Sequence, residues 1–148
     1  MHARDSRRVP VIPSFSKPWV LSFAMLACSS GGAGEKEIGG TIVSETGALS
    51  VAWECVSGDG MPARGRNRFE LVIESTESGE AVEGLTLSMV PFMPAMGHGS
   101  STVPTITAAG HGKYEVDDVV LAMPGVWELR TTISGDEPDY AVPRVEID

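Results

Sequence analysis

The chain reads as an all-β protein, an antiparallel sandwich of short strands. Three observations predict it. No segment carries a sustained apolar stripe at helical spacing. Short runs that alternate, or are rich in β-branched residues, recur along most of the length. Clusters of Gly, Pro, Asp and Ser separate those runs at short intervals, as in two-sheet folds.

The elements follow in chain order. Arg4, Arg7, Arg8 and Lys17 form a basic leader, and Trp19 to Ala27 form an apolar run too short to span a bilayer as a helix. The run ends at Met25-Leu26-Ala27-Cys28 before Ser29-Ser30-Gly31-Gly32, which resembles a bacterial lipoprotein box. That resemblance implies a signal peptide over 1–27 and Cys28 as the lipidated first residue of the mature protein. It also implies attachment to the cell envelope, with Ser29 pointing to an outer-membrane lipoprotein facing the periplasm. The alternative is an ordinary secretory signal with Cys28 incidental. Residues 28–40 then make a Gly/Ser-rich tether, which at random-coil dimensions spans roughly 20 Å. Residues 41–148 are the size of a single small domain.

Within that domain strands are expected near Leu49–Cys55, Arg68–Glu74, Leu85–Val90, Val103–Ala108, Tyr114–Val116, Val119–Met123, Val126–Ile133 and Ala141–Ile147. Alternation puts Val51, Trp53 and Cys55 on one face, Phe69, Leu71 and Ile73 on another, and Trp127, Leu129, Thr131 and Ile133 on a third. Trp127 is expected to anchor the core near Trp53. The segments 74–80 and 134–138 read as polar turns. A domain of this size with this many short strands fits an immunoglobulin-like β-sandwich without an inter-sheet disulfide, because a lipidated Cys28 leaves Cys55 unpartnered. Cys55 is then a buried thiol, with soft-metal ligation as the alternative.

Charge excludes one class of function. The chain has 11 basic and 20 acidic residues, and loss of residues 1–27 leaves 7 and 19, a net charge of −12. Such a surface lacks the basic footprint that nucleic-acid binding requires. Catalysis is not expected either: there is no activated-serine motif, phosphate loop, dinucleotide fingerprint or zinc-type Cys/His cluster.

The segment Met93-Pro94-Ala95-Met96-Gly97-His98-Gly99 stands apart. Pro and Gly forbid a regular helix there, and two thioethers and an imidazole lie within six residues. Soft sulfur beside imidazole suits Cu(I) better than Mg, Ca or Mn. The alternative is a kinked strand end with Met packed inside. A second block, Gly110-His111-Gly112-Lys113-Tyr114-Glu115-Val116, places His111 between two glycines in a tight turn that needs positive φ or close backbone approach, with Tyr114 beginning a strand from which its hydroxyl can reach the backbone. A third, Met123-Pro124-Gly125-Val126-Trp127-Glu128-Leu129, carries a Pro-Gly turn signal ahead of Trp127.

In this order the three blocks resemble the YtkA-like domain, related to the FixH group of bacterial envelope proteins, over roughly Leu49 to Asp148. The resemblance implies an immunoglobulin-like β-sandwich. It also implies a link to copper supply and respiratory-oxidase assembly, although FixH-type proteins carry a transmembrane anchor where this chain has a lipoprotein-type signal. The expected metal ligands are Met93, Met96 and His98, joined by His111 if two loops meet, with copper as the cofactor. The competing expectation is an envelope module that binds a protein partner and no metal, through a sandwich face or edge strand.

Overall fold

The computed structural model describes residues 39–148, so the expected signal peptide, Cys28 and most of the tether lie outside the described residues. These residues form ten strands: β1 Gly39–Val43, β2 Leu49–Cys55, β3 Gly65–Ser75, β4 Thr86–Met93, β5 His98–Gly99, β6 Thr105–Gly110, β7 Lys113–Leu121, β8 Gly125–Ser134, β9 Asp139–Ala141 and β10 Arg144–Ile147. One sheet has the order β1-β2-β3-β7-β6; the other runs β10-β8-β4-β5, with β9 also paired to β8. Every pairing is antiparallel. The described strands belong to one compact unit, and the core lies within it.

The alternation seen in the sequence is the alternation of burial. Val51, Trp53 and Cys55 point inward from β2, and Phe69, Leu71 and Ile73 from β3. Opposite them lie Met89 and Met93 from β4 and Trp127, Leu129, Thr131 and Ile133 from β8. Trp127 is fully buried, as expected of a core anchor, and its indole N–H donates to Met123 O at 2.9 Å. Trp53 is also in the core, where its ring is tilted against Phe69 with centroids 6.3 Å apart. Thr131 satisfies its buried hydroxyl by donating to Leu129 O at 3.0 Å. Tyr114 is buried and its hydroxyl accepts the Leu85 N–H at 3.2 Å, the expected reach to backbone.

Several boundaries differ from the sequence reading, each for a local reason. Gly39 and Gly40 are strand rather than tether, because they pair with Glu54 and Trp53. The runs Tyr114–Val116 and Val119–Met123 are one strand, β7. A bulge opposite Arg68 absorbs Asp117 and Asp118, with Asp118 at φ 63°, so that Val116 and Val119 can both point inward. The expected strand Ala141–Ile147 is two strands, separated at Val142-Pro143. β4 extends through Pro91 to Met93. Its Pro91 carbonyl accepts Ser100 N–H on the side away from β8, so the missing N–H costs no rung of the β4–β8 ladder.

Candidate metal site

Met93 closes β4, and His98 opens β5 directly across from it. Residues opposite each other on an antiparallel pair share a face, with Cβ atoms about 4.5–5.5 Å apart. Between them Pro94 ends the ladder and the chain turns. Met93 O accepts the N–H groups of Met96 at 3.1 Å and Gly97 at 3.0 Å, and Gly97 closes the turn with φ 67°. The hairpin therefore brings Met93, Met96 and His98 to one strand end. Their exposures differ. Met93 is in the core, whereas Met96 is 58% exposed and His98 is exposed at the edge of the sheet. His98 Nδ1 lies 3.4 Å from Gly99 O, a long contact that leaves the ring lightly held.

The third sequence block supports the hairpin from below. Gly125 has φ 122°, and a Cβ there would meet the Met93 methyl at 2.7 Å. The absent side chain makes room for the Met93 thioether, and the Trp127–Met123 hydrogen bond pins the bend that presents Gly125. Met123 is half-buried at the same end.

Beside the hairpin, on the outer face of the second sheet, Arg130 stacks on Phe92 at 3.6 Å and donates twice to Glu128 Oε2. Arg144 donates to Glu128 Oε1 at 3.0 Å. Burial alone would raise the Glu128 carboxyl, but the two guanidiniums outweigh it and hold it below the ordinary glutamate range. A shallow groove of about 300 Å³ between this row and the hairpin is lined by Pro94, Ala95, Val126, Glu128 and Arg144.

His111 is not part of this cluster. With Gly112 it forms the two-residue turn between β6 and β7, and both have positive φ, 55° and 70°, as a type I′ hairpin requires. The Glu83 carboxylate accepts the His111 N–H. This tip lies against the far end of β3, through Ile73 N–H to Gly112 O at 2.8 Å. Glu83 precedes the start of β4, whereas Met93 ends it, so the eight residues of β4 separate His111 from Met93 by ~25 Å at ~3.3 Å per residue. No single ion can join His111 to Met93, Met96 and His98. Cys55 is a buried free thiol.

A second groove, about 610 Å³, is at the His111 end, lined by residues including Leu49, Val82, Leu85 and Asp136. There Asp139, which falls between the polar turn 134–138 and the strand expected from Ala141, ties the two sheets together. Its carboxylate accepts Thr46 N–H at 3.1 Å, the Thr46 hydroxyl at 2.7 Å and Tyr140 N–H at 2.8 Å. Burial would raise its carboxyl, but these donors, with the Ser44 hydroxyl, hold it below the usual aspartate range.

Among the described residues no group of three His, Cys, Asp or Glu side chains is placed to hold a metal ion. A zinc-type or hard-cation set is therefore not assembled among them. Thioethers lie outside that donor class; Met93, Met96 and His98 are placed on one hairpin.

Taken together, fold and hairpin define a small antiparallel β-sandwich with a Met/His-bearing strand end. The family model described as YtkA-like matches residues 51–132, more than half of the chain, and the protein belongs to the YtkA-like family. No curated protein and no solved structure matches the chain.

Proposed function

We propose that the protein is a lipid-anchored envelope protein that binds copper as Cu(I), for transport or buffering. The reading rests on one observation: a single hairpin sets Met93 and His98 across from each other with Met96 in the intervening turn. Two thioethers and a neutral imidazole match a soft monovalent ion. Met96 and His98 face solvent, so they would meet copper first, while Met93 would supply sulfur from the core side, where Gly125 leaves it room. Bound Cu(I) would be a cargo held for transfer, and these residues would hold and release it.

The test is a competition titration with a Cu(I) chelator, comparing the wild type with the Met93/Met96/His98 triple alanine variant. Affinity falls by at least about tenfold, or ~1.4 kcal/mol, in the variant. Equal affinity in a folded variant makes the cluster strand-end packing. Because imidazole must be deprotonated to bind, wild-type affinity declines in acid yet does not vanish, since the sulfurs carry no proton. Anchoring is tested separately: Cys28→Ser sends the protein to the soluble fraction or leaves it unprocessed, and an unmodified mature N-terminus beyond Cys28 in mass spectra refutes it.

A metal-free interaction module is the second reading. It is favoured by apolar side chains left exposed around the hairpin, Val90, Met96 and Val103 among them.

A further inference from the structure

The connection from β7 to β8 carries the chain from one sheet to the other. Only residues 122–124 lie between Leu121, fully buried at the end of β7, and Gly125 at the start of β8. Ala122 and Pro124 are exposed, but Met123 between them is half-buried and packs against the core. Its backbone is fixed as well, because the buried Trp127 indole donates to Met123 O at 2.9 Å.

That crossing closes the end of the sandwich to which the Met93–His98 hairpin belongs. β4 and β8 run antiparallel with Phe92 opposite Glu128, so Met93 at the end of β4 meets the first residues of β8. The approach is close: a Cβ on Gly125 would stand 2.7 Å from the Met93 methyl. Met93 points inward, and His98 directly opposite shares its face. Met123 enters the same end from the other side, two residues before Gly125.

Given the copper reading, we propose that Met123 is a third thioether ligand, in the place that His111 is too distant to take. Met93, Met96, Met123 and His98 would surround the ion with three sulfurs and one nitrogen. All four donors are neutral once the imidazole is deprotonated. Neutral soft donors leave the charge of the ion uncompensated, which favours a monovalent ion and selects Cu(I) over Cu(II). The site would then draw on both sheets' connections, with the hairpin on one side and the β7–β8 crossing on the other.

Met123→Leu separates ligation from packing. Leucine fills a similar volume and keeps the carbonyl that Trp127 holds, but it has no sulfur. In a chelator competition the Cu(I) affinity of the variant falls about tenfold or more, while its thermal midpoint stays near that of the wild type. Met89→Leu, a change buried within β4, leaves the affinity unchanged. X-ray absorption at the copper edge reads the ligands directly, with three sulfurs and one nitrogen per copper in the wild type and two sulfurs and one nitrogen in Met123→Leu. The wild-type spectrum decides even where the variant is destabilised. Unchanged affinity in a folded Met123→Leu protein, or a wild-type spectrum with only two sulfurs, overturns the Met123 assignment and leaves the hairpin site standing. A wild type that takes up no Cu(I) overturns both.

Discussion

Asp139 shows at the residue scale how one carboxylate can hold two sheets. It sits on β9 of one sheet and receives three hydrogen bonds at 2.7–3.1 Å, two of them from Thr46 in the loop between β1 and β2 of the other. Glu45 N–H adds a bond to Tyr140 O at 2.8 Å. The folded carboxyl titrates below the ordinary range, so the unfolded chain takes up its proton first as pH falls. The stability it contributes is present above the unfolded-state value and is lost as pH drops through the lowered folded one. Asp139→Asn is expected to cost roughly 1–3 kcal/mol at neutral pH, since an amide nitrogen replaces an acceptor facing donors. Urea midpoints of the two proteins should converge in acid. A constant gap from neutral to strongly acid pH would mean that the charge of Asp139 is irrelevant to folding. Nothing in the sequence around Asp139 announces this role, because its partner lies 93 residues away.

At the scale of elements, the strands whose faces alternate cleanly were legible from sequence; those shaped by a local irregularity were not. Val51-Trp53-Cys55 and Phe69-Leu71-Ile73 carry their period in their residue types. β7 does not, because Asp117 and Asp118 break its alternation, and only the Arg68–Asp117 and Arg66–Asp118 pairs across the sheet reveal a bulge instead of a loop. β5 is two residues long and leaves no periodic trace. The Gly110-His111-Gly112 turn was legible as a turn, but its place at the far end of the sandwich from Met93 was not. Two glycines in that turn make different demands. A Cβ on Gly110 meets nothing nearer than Glu83 Oε1 at 4.0 Å, whereas one on Gly112 would stand 2.5 Å from Ile73 O. Gly110→Ala should cost only the left-handed strain, about 1–2 kcal/mol. Gly112→Ala should cost ~1–2 kcal/mol more, because the hairpin must back away from β3 and stretch the Ile73–Gly112 hydrogen bond. Equal denaturation midpoints for the two variants would show that the hairpin tip is not seated on β3.

For the molecule as a whole, charge is the term least balanced. Residues 39–148 carry 17 carboxylates against six cationic side chains. Arg66, Arg68, Lys113, Arg130 and Arg144 each already pair with a carboxylate, and Arg130 and Arg144 share one, Glu128. The pairs are mostly at the surface, where solvent screening leaves each of them weak, so they do not offset the excess negative charge. Self-repulsion of that excess opposes the compact state and is a long-range effect. Raising ionic strength from about 0.01 M to about 0.15 M shortens the screening length from about 30 Å to about 8 Å, less than the span of one of these strands. It weakens the surface pairs as well, but the unpaired carboxylates outnumber them. The thermal midpoint should therefore rise over that salt range. Replacing sodium by potassium chloride should give the same increase, because the effect needs screening and no specific ion site. A midpoint that falls with added salt would show that the five local pairs outweigh the net repulsion, and that folding depends on the arginine rows across β3–β7 and β8–β10 more than on the neutral core they flank.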